Sequence, residues 1–129
     1  MDDSERLKRG EAARRRVLGD AWVDRSAGNR NVFNAEWLDT ITRSPWGEIW
    51  TRPRFDDRTR RVLVMGTLLA LGQWDEFRLH VRAALTVGGF SADDIKEIIL
   101  QQASYCGVPA GNHAFKVAEE VLREIGKAP

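Results

Sequence analysis

From Arg58 to Cys106 the chain runs RTRRVLVMGTLLALGQWDEFRLHVRAALTVGGFSADDIKEIILQQASYC, with breaks at Gly72 and at Gly88-Gly89. The apolar spacing predicts three helices in series. The first, about Thr59 to Leu71, is apolar on nearly every side through Val62, Leu63, Val64, Met65, Leu68, Leu69 and Leu71. A helix without a polar face is expected in a core, and the run from Val62 to Leu71 is too short to span a bilayer. The second, about Gln73 to Val87, has a stripe of Trp74, Phe77, Val81 and Leu85. The third starts after Ser91, where Ser91 and Asp94 resemble a capping box with Asp in place of Glu. Its stripe is Ile95, Ile98, Ile99 and Ala103, with Gln102 as the polar member.

The flanks extend the helical pattern. Residues 4 to 19 predict a basic amphipathic helix with Arg6, Lys8, Arg9, Arg14, Arg15 and Arg16 on its charged face, either solvated or an anion site. GDAWVDRSAGNRNVF reads as a loop from its Gly, Asn, Asp and Ser content. Asn34 is an N-cap candidate for a short helix from Ala35 to Arg43, with Trp37, Leu38 and Ile41 inward. The segment Arg43 to Phe55 holds Pro45 and Pro53 and is too irregular for one helix. Trp46 and Trp50 either plug a core there or wall a pocket, with Arg43 or Arg52 offering a bidentate carboxylate binder. Asp56 or Asp57 caps the next helix. Pro109 opens a last helix, with Ala110, Ala114, Val117, Val121 and Ile125 inward and a stop at Gly126. No strand-length alternation appears, so the expectation is an all-α chain forming one domain over residues 1–129.

Composition narrows the function. At 129 residues the chain can bury one real core. A net charge of +1 gives no electrostatic case for nucleic acid or a membrane surface. The one cysteine, Cys106, excludes an internal disulfide and a CxxC pair, and its place after an apolar stripe suggests a small buried residue. The charged start, MDDSERLKRG, has no apolar segment of the secretory kind, so a cytoplasmic location is expected.

Glu76 and His80 are the strongest pair of reactive side chains. One helical turn apart, they share a face, with Gln73 beside them. A carboxylate there orients an imidazole and raises its proton affinity, which suits proton transfer near neutral pH. The alternative is an ordinary pair on a solvated face. One His and one Glu are too few for a metal site. His113, in the first turn of the last helix, reads as non-catalytic. Tyr105 and Asn112 flank the turn before that helix and either point into a cleft or satisfy helix ends.

Six runs carry a family resemblance: GDAWVDR (19 to 25), WGEIWTRP (46 to 53), ALG (70 to 72), HVRAAL (80 to 85), IKEIILQ (95 to 101) and YCGVPAGNHAF (105 to 115). Over about Glu11 to Glu124 the chain resembles the carboxymuconolactone decarboxylase family. The wider superfamily includes the alkylhydroperoxidase D proteins, whose CxxC pair and following histidine fall on Gln73, Glu76 and His80. Without those cysteines no thiol peroxidase chemistry is possible at that place, whereas the retained histidine fits proton chemistry.

The resemblance implies a compact, all-helical alkylhydroperoxidase D-like domain that assembles as trimers or hexamers. It implies no cofactor, a small dicarboxylate lactone as substrate, and a place in protocatechuate breakdown. The implied reaction converts γ-carboxymuconolactone to β-ketoadipate enol-lactone with loss of carbon dioxide. The electrons left behind run through the double bond to the lactone carbonyl, so the substrate is its own electron sink. Three tasks remain for the protein: holding carboxylates, stabilising charge on the carbonyl oxygen, and protonating the α-carbon. His80 suits either of the last two, oriented by Glu76. Arg43 and Arg52 suit the first, with Trp46, Trp50, Gln102 and Tyr105 as further substrate-binding candidates. The competing expectations are a related lyase acting on another carboxylated lactone or β-keto acid, and a non-catalytic oligomeric helical protein.

Overall fold

Local chemistry sets the helix ends in the computed structural model, which describes residues 1–129. Seven α-helices form: α1 (Asp3–Leu18), α2 (Asp20–Ser26), α3 (Ala35–Ile41), α4 (Asp57–Leu71), α5 (Trp74–Thr86), α6 (Ala92–Cys106) and α7 (Val108–Glu124). There is no strand, as the sequence predicts. The helices fall into two compact units, Met1–Asp57 and Arg58–Pro129.

In the first unit, Asp2 caps α1 by accepting from Glu5 N at 2.9 Å. The region read as a loop is instead largely helical. It contains α2 and a short 3-10 turn, Ala27–Asn29. Asp20 opens α2 and Arg25 lies in its last turn, a charge order that suits the helix dipole. Such end charges are easily mistaken for loop composition. Asn34 does not cap α3. Its Oδ1 accepts from Asn31 N, while its own N donates to Asn31 Oδ1. Trp37, expected inward, is exposed.

The chain then makes a wide π-type turn, Thr42–Trp46, broken by the extended Ser44. This turn packs on α1 at backbone distance. A Cβ on Gly10 would stand 1.8 Å from Thr42 O, and one on Gly47 would stand 2.4 Å from the carbonyl oxygens of Arg6 and Arg43. Trp46 and Trp50 are buried and stacked, ring centroids 5.2 Å apart. The arginines of α1 are largely engaged with acids of the same unit. Arg15 binds Glu11, Asp20 and Asp24, Arg6 binds Asp3 and Glu48, and Arg16 binds Asp57. Arg14 meets the Ser26 hydroxyl and lies over the Trp22 ring.

The second unit has one apolar core. Met65 and Leu69 of α4, Phe77, Val81, Ala84 and Leu85 of α5, Phe90, Ile95, Ile98 and Ile99, and five residues of α7 make it up. The capping box at the start of α6 forms with both bonds, Ser91 N to Asp94 Oδ2 at 2.9 Å and Asp94 N to Ser91 Oγ at 3.2 Å. Gly107, at φ 101°, takes the backbone where a side chain would be strained. It lets α6 end and α7 begin at once, with Pro109 in the first turn.

Helix α4 differs from its expected all-round burial. Val62, Leu63 and Leu71 are exposed, and Arg61 is buried at 3% exposure. The inward face is the four-residue series Arg61, Met65, Leu69, with Gly66 beside it. No helix of the chain is long and apolar enough to cross a membrane.

Candidate active site

His80 sits on the inward side of α5, between Phe77, Val81 and Ala84, and is only 7% exposed. Its Nδ1 is enclosed and has no hydrogen-bond partner. A buried polar atom left unpartnered is unfavourable by about 1–3 kcal/mol. Such an atom stores strain, serves catalysis, or is met by water, an ion or a ligand. Burial, and next the Arg61 guanidinium, push the imidazole down to about 4. It is therefore neutral at pH 7, with one ring N–H and one acceptor nitrogen.

The expected Glu76–His80 pair does not form. Glu76 is exposed, and Nδ1 of the imidazole stays without a partner. Residues four apart on a helix share a face only broadly, and here one falls inside the core boundary and the other outside it. The expectation of a carboxylate-supported imidazole titrating near neutrality is corrected with it: the neighbouring charge is a cation.

Arg61 is the residue that sequence reasoning missed. A Cβ on Gly88 would stand 2.9 Å from both Cζ and Nε of Arg61, and 2.9 Å from Cα of Ala84. The guanidinium thus lies over Gly88, just past the C-terminal end of α5, where the helix dipole favours a cation. His80 and Ala84 are one turn apart on that helix. The readable signal was Arg61 standing four and eight residues before Met65 and Leu69, in the register of the inward face.

Gln102 is half-buried in α6 and lies against α4. A Cβ on Gly66 would stand 2.9 Å from its Nε2, so the glycine makes room for the amide. Gln102 helps line a pocket of about 630 Å³ between α4 and α6, together with Arg58, Leu63, Phe90 and Ile98. His80 is not among that pocket's lining residues, so the two do not share this cavity. Arg58 at the pocket is held by Asp94 at 3.1 Å and lies over the Phe90 ring at 4.2 Å. The enclosed imidazole and the open apolar groove are thus separate features of the second unit.

The remaining candidates belong to both units. Tyr105 is 82% exposed. Trp46 and Trp50 are stacked inside the first unit, as a core plug would be. Arg43 is half-buried in the π-type turn. Arg52 is exposed and, with Pro53 and Arg54, lines a surface recess of about 490 Å³. Cys106, expected to be buried, is exposed at the end of α6. No group of three or more His, Cys, Asp or Glu side chains is placed to hold a metal ion.

Comparison with known proteins fits this picture. The family model described as "Carboxymuconolactone decarboxylase family" matches residues 35–120. The 4-carboxymuconolactone decarboxylase of Acinetobacter baylyi is 43% identical over 129 residues, covering 100% of this chain and 96% of that protein. A 4-carboxymuconolactone decarboxylase sequence from Pseudomonas putida is 46% identical over 48 residues, covering 37% of this chain and 100% of that sequence. The nitrosuccinic acid decarboxylase npaB of Metarhizium robertsii is 31% identical over 116 residues, covering 90% of this chain and 80% of that protein. On the family match and the full-length similarity together, the chain belongs to the carboxymuconolactone decarboxylase family.

Proposed function

We propose that this protein decarboxylates γ-carboxymuconolactone to β-ketoadipate enol-lactone, without a cofactor, in protocatechuate breakdown. The observation that carries the reading is the end-to-end similarity to the Acinetobacter decarboxylase. The chemistry of the buried imidazole agrees with it. Loss of carbon dioxide leaves an electron pair that moves through the ring double bond to the lactone carbonyl oxygen. A preorganised N–H donor at such an oxygen is worth about 10² to 10³ in rate.

His80 serves this dienolate, as oxyanion donor or as proton donor. Glu76 has at most an indirect part, and Glu76→Gln costs less than loss of the imidazole. Holding a carboxylate is work for arginine, with Arg43 and Arg52 as the candidates. Gln102 is the candidate amide, and Trp46, Trp50 and Tyr105 are weaker candidates for contact with the substrate. The protein works as a homo-oligomer, trimer or hexamer, in the cytoplasm.

A second reading is favoured by the fungal relative, whose name gives nitrosuccinic acid as substrate. In nitrosuccinate, too, a carboxylate leaves beside a group whose oxygens accept the electrons. The alternative is therefore a related lyase for another acid of that kind.

The test is single-turnover decarboxylation, followed by ultraviolet absorbance of the lactone, with nitrosuccinate in parallel. Wild type is expected to consume the lactone faster than nitrosuccinate. His80→Ala is expected to lose about 10² to 10³ in rate while circular dichroism shows it folded. A folded His80→Ala that keeps more than about a tenth of the rate removes His80 from the chemistry. Nitrosuccinate turned over with no action on the lactone selects the second reading.

A further inference from the structure

We propose that the first unit holds a ligand site of its own: a cavity among α1, α2 and α3 in which Arg14 takes the carboxylate of a small aromatic acid. The site stands apart from the decarboxylation and uses none of the groups assigned to that reaction.

The cavity measures about 640 Å³. Leu7 of α1, Trp22 and Val23 of α2, and Leu38 and Ile41 of α3 give it apolar walls. Small-molecule sites have this makeup, mostly apolar with a few polar groups that fix orientation. Four cations line it as well, Lys8, Arg14, Arg15 and Arg30, against two acids, Glu11 and Asp39. Both acids already have an arginine. Glu11 binds Arg15 at 3.0 Å, and Asp39 accepts from Arg30 at 3.0 and 3.2 Å. Asp20 and Asp24, which also bind Arg15, are exposed and lie outside the lining. Arg14 and Lys8 are left without a carboxylate partner. The basic face of α1 is thus divided: Arg6, Arg15 and Arg16 are spent on acids of the same unit, and Arg14 is not.

Arg14 is held in place before any ligand arrives. Its Nη2 donates to Ser26 Oγ at 3.0 Å, and that hydroxyl is fixed in turn by donating to Val23 O at 2.8 Å. The guanidinium lies over the Trp22 ring, 5.5 Å from the centroid. Arg14, Trp22 and Ser26 are all half-buried. A side chain oriented in advance loses less entropy on binding, and a guanidinium has five N–H groups to offer.

A carboxylate matches two of those N–H groups at once. The flat body of an aromatic acid then extends from the guanidinium against the apolar walls. Lys8, which is exposed, adds a second charge of the right sign. A bare anion would leave the apolar walls in water, and an uncharged aromatic would leave the guanidinium unmatched. The lining therefore selects for charge and ring together.

The probe is benzoate, titrated into the full-length protein while the Trp22 indole N–H is followed by proton–nitrogen NMR, with its signal assigned from Trp22→Phe. Benzamide, the same shape without the charge, and acetate, the charge without the ring, are run in parallel. Benzoate is expected to shift the Trp22 signal saturably, with a Kd of about 1 mM or below. The other two are expected to bind at least about tenfold more weakly. Arg14→Met, which keeps a linear apolar side chain at that position, is expected to lose about tenfold or more in benzoate affinity, and Lys8→Met about two- to threefold. His80→Ala is expected to bind benzoate as wild type does.

A Trp22 signal that does not move with benzoate, or that moves equally with benzamide, overturns the proposal. So does a folded Arg14→Met that binds benzoate as tightly as wild type. Loss of benzoate binding in folded His80→Ala would assign the acid to the reaction site and overturn it too. If Arg14→Met does not fold, the comparison of benzoate with benzamide and acetate on the wild type decides. A wild type without action on the lactone removes the reading of the reaction and leaves this test as it stands.

Discussion

Trp74 and His113 stack face to face, their ring centroids 4.2 Å apart and their planes 9° from parallel. Trp74 is also edge-on to Phe77 at 5.6 Å. The stack joins the first turn of α5 to the second turn of α7, two helices whose starts have no side-chain cap of their own.

His113→Ala is expected to lower stability by about 0.5–1.5 kcal/mol, the usual worth of an aromatic pair. It is expected to leave kcat within about twofold of wild type. Thermal unfolding and single-turnover rates check the two halves. A large loss of rate without loss of stability would move His113 into the chemistry.

Acid stability is set in part by His80. Its folded value lies at about 4, below the ordinary 6.5. Between the two, the unfolded chain takes up a proton that the folded protein refuses, so stability falls as pH falls from 6.5 towards 4. The full effect is on the order of 3 kcal/mol, and above 6.5 this group no longer contributes a slope. Urea titrations at several pH values, on wild type and on His80→Gln, are expected to show a shallower acid decline in the variant.

Cys106→Ser is expected to keep most of the activity, because no step uses a thiol. Its exposure adds a second expectation: a thiol reagent labels Cys106 in the folded protein without stopping turnover. A hundredfold loss in a folded serine variant would require a thiol in the mechanism.

Self-association is expected from the apolar side chains left outside. Phe33 is 98% exposed, Trp37 64% and Leu63 54%, and Leu71 and Val62 lie out on α4 with Leu63. Val62 and Leu63 are neighbours on one helix, and apolar side chains exposed together are what a contact face requires. Sedimentation at micromolar concentration is expected to show a trimer or a hexamer; a monomer there rejects it.

Much of the second unit was legible in the sequence because several signals agreed at each end of each helix. Ser91 with Asp94, Gly107 and Pro109 each marked a boundary that the structure keeps. What escaped was anything decided across elements. Helix α4 reads as apolar all round, yet the face turned inward begins with an arginine and the outward face carries Val62 and Leu63. Hydrophobicity gives the count of apolar side chains, while register gives the side they point to. Helix α2 escaped because its acidic start and basic end resemble a polar linker. The Glu76–His80 expectation failed for a related reason: spacing puts two residues near one face but does not say where the solvent boundary crosses it.

The two glycines that bring α1 against the π-type turn have a consequence for how this chain can vary. Carbonyl oxygens stand where any side chain on Gly10 or Gly47 would begin, so even a methyl group has nowhere to go. Backbone, unlike a side chain, cannot swing aside to another rotamer. The large residues of the first unit, such as Trp46, Trp50 and Val17, can be exchanged for others of similar bulk at modest cost. The intolerant positions of that unit are thus its smallest residues, and lineages of this chain can drift in what fills the unit far sooner than in what is absent from it.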